Sequence, residues 1–275
     1  SGTFLVSDAD SGGINIMGTM GGLQASVSGG LHVHSGYTCS NDIYDDLYSV
    51  SVGGHYYDGM ASDPWDTMYV SDSDGYWHNT IHVSTFTVED AFPVAYRTLV
   101  VHMSASAGKT RIGCGVIGVP DTAVSEVGAY PGYSGALSVR ATVAVQNNDY
   151  NTGIILDGTI VGLQANVTGG IHIHSGVSCA NESYVGGHYY DTDWASGDPW
   201  STTYTSDENG VATVYIEMDD YFTLTEEYPV AGRTIVVHAS DGMRIGCGII
   251  ESTPGEVVQL GRYPDLAQTI GLSLI

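Results

Sequence analysis

Of the ten histidines in this 275-residue chain, eight stand at equivalent positions of two halves: His32, His34, His55 and His102, then His172, His174, His188 and His238. In His32-Val33-His34 and His172-Ile173-His174 the pair is spaced i and i+2. On a β-strand both imidazoles therefore leave one face and the apolar residue between them leaves the other. A third histidine follows a Gly-Gly pair, and a fourth ends an apolar run, Thr98 to His102 and Thr234 to His238. Four neutral imidazole nitrogens form a ligand set suited to copper, with zinc as the alternative metal. A lone histidine usually has a structural role. A set of four kept at the same landmarks in both halves favours ligation, although one duplication event could carry uninformative residues along. His78 and His82 occur only in the first half, where the second has Thr213 and Glu217. They are expected on the solvent side of a strand, where any metal would be adventitious.

The elements that must position these residues are written twice. Gly22-Leu23-Gln24-Ala25 recurs as Gly162-Leu163-Gln164-Ala165, Gly53-Gly54-His55-Tyr56-Tyr57 as Gly186-Gly187-His188-Tyr189-Tyr190, and Arg111-Ile112-Gly113-Cys114 as Arg244-Ile245-Gly246-Cys247. The first copy carries extra residues around Asn41 to Ser51. Two tandem domains are expected, 1–133 and 134–275, joined near Tyr130-Pro131-Gly132-Tyr133-Ser134-Gly135, a stretch without alternation. A matching Tyr263-Pro264 and a tail, 270–275, that resembles the region around Leu137 point to a further copy and hence to a longer array. Runs rich in Val, Ile, Thr and Tyr, divided by Gly, Asp, Asn and Ser clusters, predict an all-β fold with one sandwich per copy. Asp72-Ser73-Asp74-Gly75 and Asp207-Glu208-Asn209-Gly210 are turn signals between strands.

Thirty-one acidic side chains against seven Lys plus Arg give a formal charge of −24. That excludes phosphate-backbone recognition, which needs clustered cations, and makes an anionic membrane surface a poor partner. Of the seven cations, Arg97 with Arg233 and Arg111 with Arg244 coincide between the copies. Arg97 and Arg233 are expected to bond a backbone carbonyl structurally. Arg111 and Arg244 can attract an anion. Four cysteines allow three pairings. Each copy owns one early and one late cysteine, so the repeat selects Cys39–Cys114 and Cys179–Cys247, with four buried free thiols as the alternative. Each disulfide would close a loop worth roughly 4 kcal/mol in the chain-entropy model. The even count, with the sequons at Asn166 and Asn181 as candidate glycosylation sites, fits a secreted or cell-surface protein. No 18-residue apolar run and no signal-peptide pattern is present, so any targeting segment is expected outside this sequence.

Gly30-Leu31-His32-Val33-His34-Ser35-Gly36, the Gly-Gly-His55 block, Gly232-Arg233-Thr234-Ile235-Val236-Val237-His238 and Arg244-Ile245-Gly246-Cys247-Gly248-Ile249 resemble, in chain order, segments of copper/zinc superoxide dismutase. These are the copper-ligand strand, the bridging-histidine segment, the fourth-ligand strand and the terminal Arg/Cys segment. The resemblance covers nearly all of each copy. It implies a Greek-key β-sandwich with one copper held by His32, His34, His55 and His102 and another by His172, His174, His188 and His238. It also implies the same disulfides, with Arg111 and Arg244 guiding the superoxide anion and His55 and His188 as the catalytic histidines that release the metal and supply a proton.

The departures are informative. Between His55 and Asp72, and between His188 and Asp207, there is no histidine; one aspartate, Asp63 or Asp198, does not make a structural zinc site. Eight residues separate His102 from Arg111 and five separate His238 from Arg244, too few for the family's long electrostatic loop. These losses resemble the copper-only branch and its tandem repeat proteins, with copper and no zinc as the expected cofactor. The third-ligand histidine then needs another group to orient it. Asp63 and Asp198 are the nominated carboxylates, Asp72 and Asp207 the alternates, and a turn with a buried Trp the structural reading of Asp-Pro-Trp. Tyr56-Tyr57 and Tyr189-Tyr190 either wall the metal pocket or pack in the core. Tyr96, where the second copy has Gly232, is expected to disturb packing near Cys39. The expected function is an extracellular, antioxidant copper-only dismutase acting on superoxide. The alternatives are a non-catalytic copper-binding protein and a structural repeat whose partners are further copies or matrix components.

Overall fold

The computed structural model describes residues 1–39, 52–118, 122–148, 152–191, 193, 195–219, 221–226, 228–252 and 255–263. The extra residues of the first copy and the tail at 270–275 lie outside them. The fold is all-β, as expected: two eight-stranded antiparallel sheets, each curled around its own apolar core.

In chain order the strands are β1 (Gly2–Asp8), β2 (Ile14–Met20), β3 (Ser28–His34), β4 (Met68–Val70), β5 (Trp77–Val83), β6 (Thr98–His102), β7 (Arg111–Val116) and β8 (Ala123–Ala129). They continue as β9 (Arg140–Asn147), β10 (Ile154–Val161), β11 (Thr168–His174), β12 (Thr203–Thr205), β13 (Ala212–Met218), β14 (Thr234–His238), β15 (Arg244–Ser252) and β16 (Glu256–Arg262). The first sheet runs β4-β3-β6-β7-β16-β1-β2-β5 and the second β12-β11-β14-β15-β8-β9-β10-β13. β16 stands between β7 and β1 as β8 stands between β15 and β9. The sheets therefore divide the chain differently from the sequence motifs. The second is contiguous from Ala123 to Ser252, whereas the first takes its eighth strand from Glu256–Arg262.

Alternation on β3 separates core from chemistry. Leu31 and Val33 enter the core with Leu99 and Val101 of β6, while His32 pairs with Val100 and His34 with Thr98 on the opposite face. The register of β6 against β7 shifts between Val101 and His102, leaving His102 opposite Arg111, and β14 repeats the shift between Val237 and His238. Such a bulge re-aims the last side chain of the strand. On the outer face, Val100 packs with Val52, Tyr263 and Cys114, and the disulfide Cys39–Cys114 ties the segment before His55 to β7. Cys179–Cys247 does the same in the second sheet. Both pairings are those the repeat selects.

The two sheets meet through β1 and β2 on one side and β9 and β10 on the other. Thr3 and Thr159 share a hydroxyl hydrogen bond of 2.9 Å, Thr19 and Thr142 one of 2.8 Å, and Leu5, Val124, Ala144 and Val257 form a small apolar cluster beside them. His78 belongs to this junction: its Nδ1 lies 2.8 Å from Thr19 Oγ1 and its Nε2 3.5 Å from Glu126 Oε2. The solvent-side expectation for His78 is thereby corrected: at the start of β5 its ring is half-buried against Glu126 of the second sheet, whereas further along the same face Thr80 and His82 are exposed. His82 is exposed as expected, its Nδ1 3.2 Å from Asn15 Oδ1.

Candidate metal centre

Each sheet brings one set of four histidines together. The nearest ring nitrogens of His32, His34, His55 and His102 all lie within 4.8 Å of one another, and so do those of His172, His174, His188 and His238. β3 supplies the first two rings and the bulged end of β6 the fourth. The third arrives on a segment that pairs His55 against His34, with Ser35 N–H donating to Gly54 O at 2.8 Å and Tyr56 N–H to Val33 O at 2.9 Å. Gly53 makes that turn at φ 75°, where a side chain would be strained. Gly30 is required for another reason: a Cβ there would stand 2.5 Å from Cε1 of the His32 ring.

The outer nitrogen of every ring in the first site is anchored. His34 Nδ1 lies 2.9 Å from Gly53 O, His102 Nδ1 3.0 Å from Lys109 O, His32 Nε2 3.1 Å from Thr67 O, and His55 Nδ1 2.7 Å from Asp63 Oδ2. Carbonyls and carboxylates only accept, so the proton sits on the anchored nitrogen and the opposite nitrogen presents a lone pair inward. His34 Nε2 and His102 Nε2 face each other at 3.2 Å with no proton for either to donate. His32 Nδ1, and His172 Nδ1 in the second site, are buried without a hydrogen-bond partner. Inward lone pairs at close range are stabilised by a cation between them, so the residues fit a metal bound by four nitrogens. The second site matches: His174 Nδ1 is 3.1 Å from Gly186 O, His238 Nδ1 3.0 Å from Gly242 O, His188 Nδ1 2.7 Å from Asp198 Oδ2, and His238 Nε2 3.3 Å from His174 Nε2.

Burial favours the neutral form of six of these rings. Burial above all, with the neighbouring rings, lowers His32 and His172 to about 4. Burial again, with Arg111 or Arg244 adding to it against the carbonyl hydrogen bond, lowers His34 and His174 to about 3. Burial also lowers His102 and His238. Metal binding near neutral pH therefore displaces no proton from these six.

Asp63 serves two partners. Oδ2 takes the His55 ring, and Oδ1 accepts the Trp65 N–H at 2.9 Å; Asp198 does the same for His188 and, at 3.0 Å, Trp200. Burial acts to raise the Asp63 carboxyl, but the Trp65 N–H and His55 outweigh it and hold it below the usual range. Trp65 is buried, and its indole donates to Tyr56 O at 2.6 Å. The turn and the ring anchor are one device. The alternates are corrected: Asp72 Oδ1 accepts from the N–H groups of Asp74 and Tyr76, and Asp207 Oδ1 from those of Asn209 and Val211. Both close the turns they announce.

Arg111 lines the same cleft as His34, His55, Met60, Asp63 and His102. Its Nη2 donates to Gly53 O at 2.7 Å, the carbonyl that also anchors His34, and its Nη1 to Tyr263 Oη at 2.9 Å. Arg244 Nη1 donates to Tyr130 Oη at 3.0 Å. Arg97 and Arg233 bond the backbone as expected, donating to Ser35 O and Ser175 O at 2.8 Å, and they lie over the rings of Tyr56 and Tyr189 at 3.4 and 3.6 Å. Tyr56 thus packs in the core under a guanidinium, and Tyr57 borders the cleft. Tyr96 is exposed at φ 64° beside Gly118, and Gly232 takes the same left-handed backbone, φ 80°, in the second copy. Asn166 and Asn181 are both exposed. The backbone anchors at Gly53, Thr67 and Lys109 carry no signal in residue type. Tyr130 and Tyr263 had one, their matching Tyr-Pro position.

Residues 139–250 match the family model described as copper/zinc superoxide dismutase (SODC). No curated protein matches the chain. Among solved structures, one titled "Crystal Structure Analysis of the clock protein EA4" is similar over 50% of this chain and 97% of that one, with 18% identity and a TM-score of 0.38. The second half of the chain, with one complete four-histidine site, therefore carries the sequence pattern of that dismutase family on a β-sandwich.

Proposed function

We propose that both copies belong to the copper-only branch of this family and disproportionate superoxide at one copper per copy, in an extracellular or cell-surface setting. The observation that carries the reading is the inward convergence of four anchored imidazoles, with His34 Nε2 and His102 Nε2 at 3.2 Å and their second-site equivalents at 3.3 Å. The match over 139–250 supports the family. The absence of histidine between His55 and Asp72 argues against a zinc partner, and the carboxylate of Asp63 holds His55 from the side where a second metal would stand.

A copper ion so bound would supply the one-electron exchange that turns one superoxide into dioxygen and another into hydrogen peroxide. The chain's own residues do the rest. Arg111 and Arg244 offer positive charge beside the rings in a molecule of net charge −24, and screening beyond about 8 Å keeps that contribution local at physiological salt. His55 Nε2 and His188 Nε2 can each hold a proton when the ring is not ligating, and the Asp63 or Asp198 carboxylate stabilises the resulting imidazolium. The disulfides fit an oxidising compartment, and Asn166 and Asn181 are the proposed glycosylation sites. The test is metal content with superoxide removal followed by pulse radiolysis. Two equivalents of copper with fast removal is the expected result; two equivalents without turnover would make the chain a copper-binding protein instead.

A further inference from the structure

In each sheet the strand beside the Arg/Cys strand runs out into a tyrosine: β8 ends at Ala129 before Tyr130, and β16 ends at Arg262 before Tyr263. Both tyrosines are placed the same way. Tyr130 N–H donates to Ile245 O at 3.0 Å and Tyr263 N–H to Ile112 O at 3.1 Å, so the backbone of each is tied to the residue after the arginine. Both rings are buried against the disulfide, Tyr130 with Cys247, Val185 and Val236, and Tyr263 with Cys114, Val52 and Val100. Each hydroxyl accepts from Nη1 of the arginine, and the guanidinium carbon lies 5.7 Å from the Tyr130 centroid and 5.8 Å from that of Tyr263.

From this geometry we propose that Tyr130 and Tyr263 are the positioning residues that fix Arg244 and Arg111 at their metal centres, so that anion attraction at each centre depends on a strand carrying no metal ligand. The proposal rests on the anion-guiding reading of the arginines. A buried ring has few rotamers, so its hydroxyl is a fixed acceptor. An arginine side chain has four flexible torsions and would otherwise spread its charge over many positions. With Gly53 O on Nη2 and Tyr263 Oη on Nη1, the Arg111 guanidinium is held from two sides next to the His34 anchor. For the first centre the tyrosine comes from the far end of the chain, 152 residues from the arginine it holds.

Tyr263→Phe and Tyr130→Phe keep the buried ring and remove only the hydroxyl. In the metal-free chain, nitrogen-15 NMR of the guanidinium groups should show Arg111 rotating about its Nε–Cζ bond about threefold faster or more in Tyr263→Phe, with Arg244 unchanged, and the reverse in Tyr130→Phe. In copper-loaded protein whose second centre is disabled by His172→Ala/His174→Ala, optical titration with azide as the anion probe should show weaker binding by about threefold in Tyr263→Phe and parent affinity in Tyr130→Phe. Rotation rates unmoved by either variant, or moved equally at both arginines, would overturn the proposal, as would an azide affinity insensitive to Tyr263→Phe. A chain that takes up no copper defeats the functional reading instead, and the rotation measurement on metal-free protein still decides the role of the tyrosines.

Discussion

Asp63 shows how much one side chain can settle. With one oxygen on the Trp65 amide it closes a turn, and with the other it fixes the proton of His55 on Nδ1. Asp63→Asn keeps the shape but presents an amide that can donate as well as accept, so the ring is no longer fixed with Nε2 bare. Copper affinity at the first centre is expected to fall about 10-fold, by analogy with other anchors of this type, and competition with a chelator will measure it against an unaltered second centre. Tyr96 is a simpler case. Its left-handed backbone, φ 64°, is occupied by Gly232 in the other copy, so Tyr96→Gly is expected to stabilise the fold by about 1 kcal/mol, read from a denaturant midpoint. At this scale most of the site was legible. Histidine and aspartate declare their chemistry by type, and the repeat marked which of them recur together. What was hidden is the other half of each hydrogen bond, since the carbonyls of Gly53, Thr67 and Lys109 exist at every residue and only the fold selects them.

At the scale of elements, alternation made β3 readable, with Leu31 and Val33 toward the core and His32 and His34 away from it. The bulge that places His102 was not readable, because a register shift depends on the partner strand and leaves no mark in Thr98 to His102. Gly30 joins the two levels. With a Cβ 2.5 Å from the His32 ring, Gly30→Ala is expected to displace that ring and reduce tightly bound copper from two equivalents toward one, measured by metal analysis after dialysis against a weak chelator. Copper content equal to the parent would show that the ring has room to give. The placement of β16 was equally beyond the sequence motifs: it carries no histidine or cysteine, and its pairing with β1 and β7 is a long-range contact that local pattern does not encode.

Across the whole molecule, the junction between the sheets is nearly but not fully symmetric. Glu126, near His78, stands where β16 has Gln259, which accepts from Thr3 at 2.7 Å. Burial, against a hydrogen bond from Thr142, raises the Glu126 carboxyl to about 7. Its charged form is therefore disfavoured in the folded state. The stability this group contributes is present below about pH 4.5, where it is protonated folded or unfolded, and is lost as pH rises through 7. Glu126→Gln should match the parent at pH 4.5 and exceed it at pH 8 by on the order of 1–3 kcal/mol, as thermal unfolding at both pH values will show. The same molecule-wide view frames the central claim, that two equivalent four-histidine centres hold copper and act on superoxide. The most direct test compares bound copper and superoxide turnover of the copper-loaded parent with those of His32→Ala/His172→Ala, which removes one ligand from each centre. Two tightly bound coppers and fast turnover are expected in the parent, with both largely lost in the variant; unchanged turnover in the variant would mean that these histidines do not form the reacting centre.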